Sequence, residues 1–172
     1  MTIRDTGVKV DYDKIARRYD TFRGGGGPYL PFMVDLAKAH GVRHALEVGA
    51  GTGNNTAAFH AAYPEAALTA CDLSWGMLMR ARVKQAPGTW MRADAHHLPL
   101  APESVDFCFG CFMLHYISDL RSLFGECARV LRDGCAAFAT ASHDFIDRHP
   151  MNRYFPSFST IDKGRFPSVE AV

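Results

Sequence analysis

The most restrictive feature of this sequence is a short apolar run that ends in three alternating glycines. His44-Ala45-Leu46-Glu47-Val48 leads directly into Gly49-Ala50-Gly51-Thr52-Gly53. Such a run reads as a buried strand feeding a tight turn. Glycine lets the turn tighten and lets a ligand approach the backbone, because no Cβ intervenes. The helix that follows aims its free N–H groups at that ligand. The dinucleotide fingerprint G-x-G-x-x-G needs a third glycine where Asn54 stands, which weighs against NAD or FAD.

The remaining text repeats the strand-then-helix pattern. A helix is expected near 11–20, with Tyr12, Ile15, Ala16 and Tyr19 on one face. Gly24 to Gly27 form a hinge, and Pro28 opens a second helix that stops at Gly41. After the first strand, Thr52 to about Tyr63 reads as helix and Ala66 to Cys71 as the second strand, ending at Asp72. Ser74 caps a helix to about Gln85. Thr89 to Ala93 and Val105 to Gly110 are the third and fourth strands. Ser118 caps a helix from about Asp119 to Leu131, Gly134 follows it, and Cys135 to Ala141 is the fifth strand. Beyond that the text is aromatic and irregular, and Ser168-Val169-Glu170-Ala171 resembles a helix start where the chain ends.

This alternation implies an α/β fold with a mainly parallel sheet covered on both faces, a Rossmann-like three-layer sandwich. One domain is expected: 1–41 as an N-terminal helical cap, 42–141 as the cofactor-binding core, 142–172 as an aromatic lid or acceptor segment. In such sheets ligands bind at the carboxyl ends of the strands, near the point where strand order reverses.

Bulk properties exclude several classes. The 172 residues are 48% hydrophobic and 22% charged, enough apolar material for one buried core. A net charge of +1 argues against nucleic acid as the main ligand. Arg17, Arg18 and Arg23 could form a local basic patch, although a solvated helix face is the simpler reading. No apolar stretch reaches the ~20 residues of a membrane span, and the polar start Met1-Thr2-Ile3-Arg4-Asp5 lacks the apolar core of a signal peptide. Five cysteines, an odd count within apolar segments, fit reduced thiols and a cytoplasmic setting.

Asp72 falls about twenty residues after the loop, where a carboxylate can accept from both hydroxyls of an adenosine ribose. A helix N-terminal acid favoured by the dipole is the plainer alternative. At the end of the third strand, Asp94 can accept from an adenine amino group, and the Ala95 N–H can donate to a ring nitrogen. Cys108-x-x-Cys111 with His115 invites a metal reading, but one pair falls short of four zinc ligands, and His96-His97 fits a surface loop. No metal is expected. There is no Gly-x-Ser-x-Gly, so a serine hydrolase has no support.

Leu46-Glu47-Val48-Gly49-Ala50-Gly51-Thr52-Gly53, Asp72-Leu73-Ser74, Asp94-Ala95 with Leu98-Pro99, Asp106-Phe107, Leu114-His115-Tyr116 and Arg129-Val130-Leu131-Arg132-Asp133-Gly134 occur in that order. Together they resemble the class I S-adenosylmethionine-dependent methyltransferases, within the broad group that contains the quinone- and biotin-pathway enzymes. The resemblance covers about residues 11–141. It implies that Gly49, Gly51 and Gly53 flank the methionine and ribose portion, with Glu47 and Ala50 in the same cofactor-binding segment. It also implies that Asp72 holds the ribose, with Leu73 and Met77 near the adenine, and that Asp94 and Ala95 read the adenine edge. Cys111 is implied to sit beside the sulfonium with Phe112 close by. Tyr19 would close the methionine end, and Arg23 is a further candidate for the carboxylate. The family sheet carries two more strands, one antiparallel, that this sequence does not show, so the C-terminal part of the fold is expected to be missing.

The implied reaction is methyl transfer from S-adenosylmethionine, leaving S-adenosylhomocysteine, to a small-molecule acceptor. The methyl is already activated, so in-line positioning supplies much of the rate. A base matters only if the nucleophile carries a proton, and His115 is the candidate. Tyr12 and Tyr19 could orient the acceptor or simply pack the first helix. The aromatic tail, with Phe145, Tyr154, Phe155, Phe158 and Phe166, would line an apolar acceptor pocket. Two other readings stay open: a truncated cofactor- or partner-binding domain without catalysis, and an NAD-dependent oxidoreductase. A homodimer is also open.

Overall fold

The computed structural model describes residues 10–22 and 26–172. Arg23, Gly24 and Gly25 lie outside the described residues, as does the N-terminal segment 1–9. In chain order the elements are α1 (Tyr12–Phe22), α2 (Leu30–Ala39), β1 (His44–Val48), α3 (Asn54–Ala62), β2 (Ala67–Asp72) and α4 (Trp75–Val83). They continue with β3 (Thr89–Arg92), β4 (Val105–Cys111), α5 (Leu120–Val130), β5 (Leu131–Ala139), α6 (His143–Arg148) and α7 (Phe158–Arg165). Short 3-10 turns occupy Leu114–Tyr116, Pro150–Arg153 and Val169–Ala171.

The five strands form one parallel sheet in the order β3-β2-β1-β4-β5. β1 is central, with Leu46 opposite Thr69 on one side and Cys108 on the other. The chain runs outward from β1 to β3, then returns to β4 beside β1. The order therefore reverses between β1 and β4, and a crevice opens there.

Side-chain alternation along the strands divides the core into two layers. On one face Phe107 and Phe109 of β4 pack with Ala45, with Met33 and Val34 of α2 and with Phe59 of α3. The Phe59 ring stacks on Phe109 at 4.9 Å and on Phe107 at 6.3 Å. On the other face Leu46, Val48, Cys71 and Cys108 meet Leu123, Cys127 and Val130 of α5. Helices on both faces of a parallel sheet give the expected Rossmann-like three-layer sandwich.

Several local expectations are corrected. α2 begins at Leu30, and the proline in its first turn is Pro31, not Pro28. Among the α1 residues whose burial is described, only Ala16 is fully buried and Ile15 faces solvent, so the inner stripe is narrower than the spacing implied. α5 is capped by Asp119, whose side chain accepts from Ser122 N at 3.2 Å; Ser118 stands one position too early. Gly134 does not end α5 but lies within β5, which starts at Leu131 and ends at Ala139. The ladder shifts register between Val105 and Phe107. A Cβ on Gly134 would stand 1.9 Å from the Asp106 carbonyl oxygen, a contact only glycine permits. Asp106 itself ties this corner together: its carboxylate accepts from Arg43 N and His44 N at 3.0 Å and pairs with Arg132 at 2.7 Å.

The aromatic tail is helical rather than irregular. Ser142 caps α6 by accepting from Phe145 N. Asn152 then donates to the Ile146 carbonyl at 2.7 Å and accepts from Ser159 N at 3.1 Å, which turns the chain into α7. Among the described residues no strand follows β5, and its outer edge is unpaired. No helix among them is long and apolar enough to cross a membrane.

The corrected cap is open to a direct check. Asp119→Ala is expected to cost about 1 kcal/mol in chemical denaturation, the usual worth of an N-cap. Ser118→Ala is expected to stay within about 0.5 kcal/mol of the parent.

Candidate active site

The glycine loop and the loop after β2 are joined by one carboxylate. Asp72 accepts from Gly51 N through Oδ2 and from Ser74 N through Oδ1, each at 2.8 Å. Ser74 in turn caps α4 by accepting from Met77 N. The three loop glycines serve different ends. Gly51 has φ +56, lines the cavity described below, and has no protein atom within 4 Å of where its Cβ would stand. A side chain there would fill ligand space. A Cβ on Gly49 would lie 2.8 Å from Met113 Cβ, and one on Gly53 would lie 2.7 Å from the Trp90 ring. Those two glycines allow close packing.

A cavity of about 690 Å³ lies across the carboxyl ends of β1 to β4. Its floor includes Gly49 and Gly51, then Asp72 and Leu73, then Asp94 and Ala95, then Cys111 and Phe112. Tyr12, Asp13 and Tyr19 of α1 line one side, and Gly164, Arg165 and Pro167 line another. The expected residues Tyr19, Gly49, Gly51, Asp72, Leu73, Met77, Asp94, Ala95, Cys111, Phe112 and His115 are thus brought together on one cavity. Arg23 lies outside the described residues.

Glu47, Ala50 and Gly53 do not line it. Alternation along β1 turns Glu47 toward α3, where the Thr56 hydroxyl donates to its Oε2. Ala50 is buried and its N–H donates to the Cys71 carbonyl at 2.9 Å. Gly53 is held against Trp90. All three shape the loop from behind.

Burial pushes the Glu47 carboxyl up to about 8, against the opposing hydrogen bonds from Thr56 and Asn55. Burial also raises Asp72, offset by its backbone donors and reinforced by the nearby charge of Asp13. Asp94 is lowered, first by the His96 N–H, and its Oδ1 also faces His96 Nδ1 at 2.6 Å. The His115 ring lies between those of Tyr116, 3.8 Å away, and Phe166, 4.2 Å away. Phe112 holds φ +54, a strained position for a non-glycine residue, fixed by its N–H bond to the Ala139 carbonyl at 2.7 Å. Among the described residues no three His, Cys, Asp or Glu side chains are grouped to hold a metal ion.

The sequence reading missed the two acids that hold α1 over the cavity. Asp13 accepts from Ser74 Oγ at 2.7 Å and from Gly76 N at 2.5 Å. Asp20 accepts from Thr52 Oγ1 at 2.5 Å and Asn54 Nδ2 at 3.1 Å, and pairs with Lys84 at 3.0 Å. Their spacing of seven positions, about two helical turns, was the available signal. Tyr116 and Arg165 were also missed. Tyr12 Oη donates to Tyr116 Oη at 2.5 Å, and Arg165 reaches the same oxygen at 3.4 Å.

The buried Glu47 makes stability depend on pH with a definite sign. Its folded pKa of about 8 exceeds the ordinary 4.5, so between those values the folded state keeps a proton that the unfolded state loses. Stability falls as pH rises through that window. In denaturation series from pH 5 to 9, Glu47→Gln is expected to gain on the parent as pH rises, by on the order of a few kcal/mol. A constant difference across the series would remove Glu47 as the source.

The cavity fits an adenosyl sulfonium ligand. A carboxylate offers about four acceptor positions, and the two bonds from Gly51 and Ser74 leave Asp72 room for ribose hydroxyls. Asp94 uses Oδ1 for His96, leaving Oδ2 for a ligand donor. Comparison with known proteins agrees. A family model described as a methyltransferase domain matches residues 46–139. A malonyl-[acyl-carrier protein] O-methyltransferase of Laribacter hongkongensis is 32% identical over 81% of this chain and 52% of its own length. A ubiquinone/menaquinone biosynthesis C-methyltransferase of Desulfotalea psychrophila is 32% identical over 74% of this chain and 55% of its own. The chain spans about half the length of these curated relatives. Among solved structures, an S-adenosylmethionine-dependent methyltransferase from Mesorhizobium loti is 26% identical with a TM-score of 0.60, covering 84% of this chain and 74% of that one. The YcgJ protein of Bacillus subtilis is 25% identical with a TM-score of 0.62, covering 82% of this chain and 62% of that one. With its glycine loop, its bridging Asp72 and these relatives, the chain belongs to the family of S-adenosylmethionine-dependent methyltransferases.

Proposed function

We propose that this chain binds S-adenosylmethionine and transfers its methyl group in line to a small-molecule acceptor. The observation that carries the reading is Asp72, which lines the 690 Å³ cavity and bridges the glycine loop and the start of α4. That bridge ties two cavity-lining loops to one carboxylate, and loops held by the protein's own hydrogen bonds need less ordering on binding.

Bound S-adenosylmethionine supplies an activated methyl group. The chain supplies position. Gly51 and Asp72 receive the ribose end, Leu73 and Met77 flank the adenine, and Asp94 with the Ala95 N–H reads its edge. Tyr19 and Cys111 border the reacting end of the cavity. α1 and α7 cover it and limit water. His115 is the candidate base for an acceptor that carries a proton. The relatives named for malonyl-[acyl-carrier protein] and for ubiquinone/menaquinone biosynthesis support an acceptor group of small-molecule size.

Calorimetry with S-adenosylhomocysteine tests the reading. Asp72→Ala is expected to weaken binding tenfold or more, about 1.4 kcal/mol. Unchanged affinity would remove Asp72 from the site, and no binding of either adenosyl ligand by the folded parent would overturn the function.

A further inference from the structure

Helix α4 turns an apolar ridge to solvent that neither the core nor the cofactor reading uses. Its inner side is Met77, Leu78 and Ala81, all buried. Trp75, Met79 and Val83 follow one another at four-residue spacing, which stacks them on one helix face. They are 54%, 37% and 66% exposed. Leu73, just before the helix, is 62% exposed and also borders the cavity. Single exposed apolar side chains are ordinary, but a contiguous set marks an interaction surface.

Arginines flank this ridge. Asp13 meets Gly76 N and Asp20 meets Lys84, so α1 lies alongside α4 and runs the same way. Arg17 stands between those two contacts, about one turn on from Asp13, and Arg18 follows it. Arg82 adjoins Val83 on α4 itself. All three arginines are exposed, and among the described residues none lies within ion-pair distance of a carboxylate. The acids of this face are engaged: Asp11 with Lys14, Asp13 with Ser74 and Gly76, Asp20 with Thr52 and Lys84. No acid occurs within α4. The chain's net charge of +1 averages over this local excess.

We propose that the α4 ridge, with Arg17, Arg18 and Arg82, is a docking face for an anionic lipid surface. The inference goes beyond methyl transfer and does not rest on it. Charge complementarity selects an anionic partner. Shape selects a fluid one. A row of side chains on a convex helix face offers a rigid partner no pocket to fill, whereas headgroups and acyl chains close around it. Trp75 supplies the amphipathic ring that settles at headgroup depth. The ridge runs for roughly 12 Å along α4, so it lies in the plane of the interface and does not cross it. The arginines stay at the phosphates while the apolar side chains enter between them.

The experiment is co-sedimentation of the full chain with vesicles of phosphatidylcholine alone, and of phosphatidylcholine containing one-third phosphatidylglycerol. Binding to the anionic vesicles is expected to be tenfold or more tighter, and to weaken as salt is raised. The triple variant Arg17→Gln, Arg18→Gln, Arg82→Gln is expected to lose that binding tenfold or more. A second measurement uses the parent's own tryptophans. Brominated acyl chains are expected to quench its emission, and the quenching to disappear in Trp75→Phe, because the remaining Trp90 is packed against Gly53. Equal binding to both vesicles, parent-like binding by the triple variant, or quenching that persists in Trp75→Phe overturns the proposal. Absence of binding to either vesicle overturns it too, and leaves the ridge to an acidic protein partner. Dimerisation of the parent that Trp75→Gln abolishes also overturns it, by assigning the ridge to a second copy of this chain.

Discussion

The architecture of the cleft depends on the Asp72 carboxylate. A parallel sheet delivers the β1 and β2 loops side by side, but nothing in the sheet ladder fixes their tips. Asp72 does so with one oxygen on Gly51 N and the other on Ser74 N. The burial that raises its pKa is the cost of that position, and the backbone donors offset it. Ser74 passes the constraint to α4 through its cap on Met77 N. Asp13 then docks α1 on the same helix start. A single charged group thereby orders a loop, a helix terminus and the helix that roofs the cavity.

The part of the fold governed by local chemistry was legible in the sequence. β1 was read at His44–Val48, as observed, because an apolar run bounded by glycine admits few other structures. Ser74 was read as a cap for the same reason: its hydroxyl needs only the next turn. Errors gathered where two local signals compete or where a distant partner decides. Ser118 and Asp119 both suit an N-cap, and packing of Leu120 and Leu123 against the core selects the second. Gly134 looked like a helix stop, yet the Asp106 carbonyl across the ladder explains it.

The candidate site divides along the same line. Gly51, Asp72 and Asp94 follow strand ends, and strand ends converge wherever the sheet is parallel. Arg165 and Tyr116 lie 49 positions apart and meet only through the path of the tail. Tyr12 and Tyr116 are 104 positions apart. No periodicity in one segment encodes such pairs. Glu47 shows the converse error: its neighbours in sequence belong to the glycine loop, but alternation along the strand turns its side chain to Thr56 on α3.

The two acids of α1 have a mechanical meaning. Asp13 fastens the helix to the α4 start, and Asp20 fastens it to the Thr52–Asn54 turn and Lys84. Two anchors seven positions apart set both the place and the direction of a stiff helix, where one alone would leave it free to turn about that point. Tyr12 sits next to the first anchor and Tyr19 next to the second. The position of each tyrosine on the cavity wall is therefore tied to the carboxylate beside it.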